Sequence, residues 1–200
     1  MDYRKILLAA IQAIALSAQA QVDDATQNTY AEKSKSGIQT LSFDLGPAWV
    51  TSKMYTSRGT YTWRKGFEIG TDYSCVYSRG YGFGFSFLYN TTNYPDGKAK
   101  QLFVGPSFVY AGNFSRKWRG MAEIGLGVGY FSADFTSEMG LGVKYSTGVE
   151  YMLSDKFGIN VKLRSITVYF GGKENFDSGD DDEVNGVARL AFQLGACFHF

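Results

Sequence analysis

Tyr81-Gly-Phe-Gly-Phe-Ser-Phe-Leu-Tyr89 carries an aromatic ring at every second position. A strand sends successive side chains to opposite faces, so Tyr81, Phe83, Phe85, Phe87 and Tyr89 share one face while Gly82, Gly84 and Ser86 share the other. In a soluble protein the aromatic face would be core and the small face would meet water. In a membrane barrel the polarity inverts: rings meet lipid, and small or charged side chains fill the interior.

Working outward from this stretch, the same alternation runs from Leu41 to Phe200. It breaks into eight segments, near residues 39–50, 63–77, 80–90, 101–110, 118–131, 140–152, 157–169 and 187–200. One parity collects apolar residues, such as Leu41, Phe43 and Leu45; Phe67, Ile69 and Tyr73; Ile124, Leu126 and Val128; and Leu190, Phe192 and Leu194. The opposite parity collects Asp44, Glu68, Asp72, Glu123 and Glu150 with Arg64, Arg119, Lys144, Lys162, Arg164 and Arg189. Glycines at 66, 70, 82, 84, 105, 125, 127, 142 and 148 fall on this charged face and make room for long side chains opposite. Acids and bases confined together in a low-dielectric space must pair, because an unpaired buried charge is very costly. The expectation is a salt-bridged, plugged lumen, since eight strands enclose little beyond their own side chains.

Loop lengths and aromatic placement agree on orientation. Short connections fall near Ser78-Arg-Gly80, Gly112 to Lys117 and Ser154-Asp-Lys156; longer ones span 51–62, 91–98, 132–139 and 170–186. Outer-membrane barrels have tight periplasmic turns and longer outer loops, and an even strand count puts both ends on the periplasmic side. Trp and Tyr concentrate at the two membrane interfaces. Trp49, Trp63, Tyr89, Tyr130 and Tyr169 then form the outer girdle, and Tyr77, Tyr81, Tyr110, Trp118 and Tyr151 the periplasmic one. A soluble ligand-binding barrel gives no reason for two such girdles and would need the aromatic rows to point inward.

The N-terminus reads as an export signal. Arg4 and Lys5 precede the apolar run Ile6 to Leu16, and Ala18-Gln-Ala20 precedes Gln21, which places cleavage after Ala20. The run is too short for a membrane helix, which needs about 20 residues. The expected organisation is a signal peptide over 1–20, a short periplasmic lead-in over 21–37 and a single barrel domain over 38–200. Removing Arg4 and Lys5 together with Asp2 leaves the remainder formally neutral, which gives no support for a nucleic-acid partner. The 24 Gly, 14 Tyr and 16 Phe against only 3 Pro suit an all-β domain rich in turns and aromatic belts.

On these residues the chain resembles the small eight-stranded outer-membrane barrels of the OmpA and OmpX type, over nearly the whole length after the signal. The ending Ala196-Cys-Phe-His-Phe200 resembles the terminal-aromatic signal read by the barrel-assembly machinery of Gram-negative bacteria, with Phe198 and Phe200 as its rings. The resemblance implies an outer-membrane location, with lipids, lipopolysaccharide and the assembly machinery as partners. Pro47 and Pro106 depart from the pattern because each removes a ladder donor inside a strand, so a bulge or a shifted strand limit is expected there.

Chemistry is sparse. His199 is the single histidine, inward at the periplasmic end, with no Ser-His-Asp pattern in the sequence. Cys75 points outward and Cys197 inward, so no disulfide is expected between them. Gly125-Leu-Gly-Val-Gly129 lacks the strand-to-helix setting of a phosphate loop. Glu174, Asp177, Asp180, Asp181, Asp182 and Glu183 face only Lys173 and form an acidic loop, without the spacing of a calcium-binding loop. No cofactor or metal is expected. The reading is an all-β, single, antiparallel up-and-down transmembrane β-barrel of about eight strands, with a structural or surface-interaction role. A small porin is the first alternative and a lipid-modifying enzyme the second.

Overall fold

The structure is a computed structural model and describes residues 37–52, 54–56, 59–61, 64–94, 97–133, 136–170 and 186–200. The signal segment, the lead-in up to residue 36, Trp63 and the acidic loop lie outside these residues. Ten strands are described: β1 (Ile38–Val50), β2 (Met54–Thr56), β3 (Gly59–Tyr61), β4 (Arg64–Val76), β5 (Tyr81–Tyr94), β6 (Gly97–Asn113), β7 (Trp118–Ala133), β8 (Thr136–Ser154), β9 (Phe157–Phe170) and β10 (Gly186–His199).

β1 and β4 to β10 form one closed antiparallel barrel of eight strands in the order β1-β10-β9-β8-β7-β6-β5-β4. Every strand pairs with its sequence neighbour in the barrel, and β1 closes on β10 with Leu41 opposite Phe198 and Leu45 opposite Leu194. Closure leaves no free edge, the condition for backbone to cross hydrocarbon with its polar groups satisfied. β2 and β3 form a separate two-stranded ladder within the first outer connection, so that connection adds no strand to the barrel.

Burial follows parity along all eight strands. Phe43, Leu45, Ile69, Phe83, Phe85, Phe87, Leu126, Val128, Leu141 and Leu194 are about half exposed, while their sequence neighbours are mostly buried. The aromatic rows therefore lie on the outside, which removes the soluble-barrel alternative.

Three expectations change. The second and third outer connections are not loops over 91–98 and 132–139: β5 and β6 continue until Tyr94 faces Gly97, and β7 and β8 until Ala133 faces Thr136. The paired hairpins satisfy their own backbone, so the ladder extends beyond the apolar belt. Pro47 and Pro106 cause no bulge. Register between β1 and β10 is the same on both sides of Gly46-Pro47, and between β6 and β7 on both sides of Gly105-Pro106; each site loses its rungs on one side only. The register shift in the barrel instead falls at Met152/Ser154, where β8 meets β9. Finally, Tyr89 lies five residues short of the end of β5 and so is deeper than the rim position expected of it.

The periplasmic turn at Ser78-Arg-Gly80 is closed by Tyr77 N–H donating to Tyr81 O at 2.9 Å and Gly80 N–H to Tyr77 O at 2.9 Å. Gly80 has φ of 85°, a conformation that side-chain-bearing residues rarely adopt. Around the same rim Trp118 meets Tyr151 edge-on, with ring centroids 5.0 Å apart.

Candidate functional site: the barrel lumen

Inward parity on eight strands brings the charged residues into one compartment. Asp44, Glu68, Asp72, Glu123, Lys144, Glu150, Lys162, Arg164 and Arg189 are each at most 9% exposed. The acids Asp44, Glu68 and Asp72 come from β1 and β4, and the bases Lys144, Lys162 and Arg164 from β8 and β9. These groups are distant in sequence and meet only across the closed barrel.

Asp72 is the hub. Its Oδ1 accepts from Lys144 Nζ at 3.2 Å, and its Oδ2 accepts from Lys162 Nζ at 3.0 Å and also from Arg164 Nη2. Asp44 Oδ2 takes Lys162 at 2.8 Å and Arg164 at 3.1 Å. Arg164 Nη1 reaches Glu68 Oε1 at 3.3 Å, and Gln193 donates to the same oxygen at 2.7 Å. Lys144 also pairs with Glu123 and donates to Ser86, while Lys162 donates to Ser42 at 2.8 Å. Gly70 permits this approach, since a Cβ there would stand 2.7 Å from Arg164 Nη1.

A second cluster sits near the periplasmic end. His199 Nε2 lies 2.6 Å from Glu150 Oε1, and His199 Nδ1 lies 3.0 Å from Thr40 Oγ1. Arg119 stands 4.0 Å from the other Glu150 oxygen. Thr40 and His199 face each other on β1 and β10, so this chain of bonds crosses the barrel seam. Its order is hydroxyl, imidazole, carboxylate, an arrangement that the sequence does not reveal. Thr40 is only 6% exposed and faces the lumen, which keeps its hydroxyl away from lipid.

Two of the expected network members lie toward the outer end of the lumen. Arg64 is half-buried at the outer end of β4, opposite Val50. Arg189 is buried, yet none of its guanidinium nitrogens has a hydrogen-bond partner among the described residues. Both cysteines are free, and Asn160 Nδ2 contacts Cys197 Sγ at 2.8 Å.

Apolar layers flank the charged one, and the sequence reading omitted them. Toward the outer end Leu88, Phe103, Ile166 and Val168 pack together, followed by Val50, Ala99, Phe131 and Val187. Toward the periplasm Val76, Val109 and Ala111 pack with Met121. The signal was available, because Leu88 lies between the outward Phe87 and Tyr89 and must point inward. Beside Thr40, Ser42, Asp72, Arg119 and Cys197 there is a cavity of about 20 Å³, room for about one water molecule.

The girdle residues other than Trp63, which is not among the described residues, lie on the exterior. Tyr77, Tyr81, Tyr110 and Trp118 are 40–48% exposed and Tyr151 is half-buried at the periplasmic rim. Tyr130 and Tyr169 are exposed near the outer ends of β7 and β9, and Trp49 is half-buried on β1. Phe198 and Phe200 also face outward.

A closed barrel with apolar rows outside and charge pairs inside is the architecture of a transmembrane β-barrel. Solved structures share it. The chain is similar to neisserial surface protein A, with 17% identity, a TM-score of 0.57 and coverage of 82% of this chain and 99% of that one. It is similar to Ail, the attachment invasion locus protein of Yersinia pestis, with 17% identity, a TM-score of 0.50, and 82% and 99% covered. The outer membrane enzyme PagL matches with 15% identity, a TM-score of 0.50, and 80% and 98% covered. At such identities the likeness is one of fold. No protein-family model matches the chain, and no curated protein matches it in sequence.

Proposed function

We propose that this protein is an outer-membrane β-barrel of a Gram-negative bacterium, exported by a cleaved signal peptide, whose plugged lumen makes it a rigid anchor for a surface-interaction role. The observation that carries this reading is the filled interior. The central ion-pair cluster lies between apolar layers, so a hydrated ion meets packed side chains before and after the charges. The inverted polarity of the exterior supports the membrane location, since a band of half-exposed aromatic and aliphatic side chains suits lipid. The assembly machinery would read Phe198 and Phe200 on the last strand. Function then falls to the outer connections, because loops on a rigid scaffold carry binding.

The fold alone does not choose a role, as an attachment protein and an enzyme share it. Planar-bilayer recording on the refolded chain from Gln21 to Phe200 tests the plug. A silent bilayer containing heat-modifiable, folded protein is the expected result; reproducible current steps would replace the anchor with a small porin. The Thr40–His199–Glu150 chain is the feature an enzyme reading would use. With Thr40 inside the lumen, a His199→Ala variant is expected to leave the acylation of co-reconstituted lipids unchanged.

A further inference from the structure

Among the described residues, which leave out Lys53, Arg58 and Lys173, the exposed cations of the outer half are confined to one face. Among the described residues, Lys65 on β4 with Lys98 and Lys100 on β6 are the exposed lysines toward the outer end. The other exposed cations, Arg79, Arg116, Lys117 and Lys156, belong to the periplasmic turns. The remaining outer rim presents Trp49, Tyr130, Ser132, Ser137, Met139 and Tyr169, with Glu138 on β8, instead.

Register draws the three lysines together. Asn93 of β5 faces Lys98, and Thr91 faces Lys100. Gly66 faces Thr92, so one further step along β4 sets Lys65 beside Asn93. Adjacent strands lie about 4.8 Å apart and alternate residues about 6.8 Å apart, so the three Cα atoms fall within roughly 12 Å. Flexible lysine arms span that gap, with Asn93 and Thr91 supplying hydrogen-bonding side chains between them. Among the described residues no carboxylate pairs with any of the three.

The surface beneath is apolar. Phe67 follows Lys65 by two residues on the same face, Leu102 follows Lys100, and Phe87 and Tyr89 continue the wall on β5. A charged head above an acyl-compatible wall is the outline of an anionic lipid. We propose that Lys65, Lys98 and Lys100 form a docking surface for the phosphate groups of anionic lipids in the outer leaflet, held on the β4–β6 face of the barrel. This rests on the membrane reading above.

The test is native mass spectrometry of the refolded protein in detergent, with bisphosphorylated lipid A as probe and the same glycolipid without phosphates as comparison. A Lys65→Ala, Lys98→Ala, Lys100→Ala variant is expected to bind the phosphorylated lipid about a hundredfold more weakly, since each surface cation contributes roughly a factor of five. An Arg79→Ala, Arg116→Ala, Lys117→Ala variant at the opposite end should bind as the unaltered protein does. Equal retention by the outer triple variant, equal loss by the periplasmic one, or equal binding of the dephosphorylated lipid would each overturn the proposal. Displacement by millimolar inorganic phosphate would show a simple anion site and overturn the lipid assignment, whereas retention supports it. Gel mobility with and without heating separates the two readings: folded protein that binds no lipid sinks only the docking surface, and failure to fold in detergent sinks the barrel and the surface together.

Discussion

The outside and the inside of this barrel are held by different physics. Outside, Phe85, Leu126 and Leu194 meet a solvent of hydrocarbon, which asks only that a side chain be apolar. Inside, Asp72 serves three cations through two oxygens, and each partner has a set place and charge. The exterior therefore tolerates exchange among apolar residues, while the interior depends on identity.

The contrast can be broken most sharply at the hub. Asp72→Ala leaves Lys144, Lys162 and Arg164 short of a shared counter-ion, and breaking a buried pair costs about 3–5 kcal/mol. Reversible urea unfolding in lipid vesicles should register that loss, and a change below about 1 kcal/mol would show that water or relaxation replaces the hub. Next comes a charge on the lipid face: Leu126→Arg, midway along β7, should cost about 2–4 kcal/mol in the same assay. A neutral result would mean that Leu126 does not face hydrocarbon.

The seam cluster gives a smaller effect. His199→Ala removes partners from Glu150 and Thr40, and hydrogen bonds to charged groups are worth about 1.5–3 kcal/mol. Faster unfolding should accompany the loss, because β1 and β10 meet here; an unchanged unfolding rate would remove the seam from that account. Smallest is Phe85→Leu on the exterior, expected within about 1 kcal/mol of the unaltered protein, as volume-conserving apolar exchanges are. A larger loss would mean that Phe85 packs specifically rather than simply meeting lipid.

Most of the architecture was legible in residue order. Segments near 39–50 and 157–169 match β1 and β9 to within a residue or so. The failures share a cause. Residues 91–94 and 132–133 lack a continuous apolar row, yet they extend β5 and β7 because hairpin pairing satisfies backbone whatever the side chains. Pro47 and Pro106 were expected to distort their strands, but a missing donor on one side leaves the register intact. Leu88 and Phe103 share the parity of the charged residues, and nothing local marks an apolar inward side chain as the lid of a charged layer.

By itself the sequence determined which face each side chain occupies, because alternation is a local property of an extended backbone that needs no partner to be read. It likewise set the inverted polarity and a count of about eight strands, but left open a ten-stranded barrel with an extra hairpin from the first outer connection, which the separate β2–β3 ladder rules out. What only the tertiary structure decided is height and partnership: that Asp72 meets Lys144, Lys162 and Arg164 across 72, 90 and 92 residues, that His199 bridges Thr40 and Glu150, and that the Arg189 guanidinium takes no hydrogen bond among the described residues. Closing the sheet staggers one strand against the next, and that stagger sets which inward side chains share a level of the lumen. No local pattern carries it.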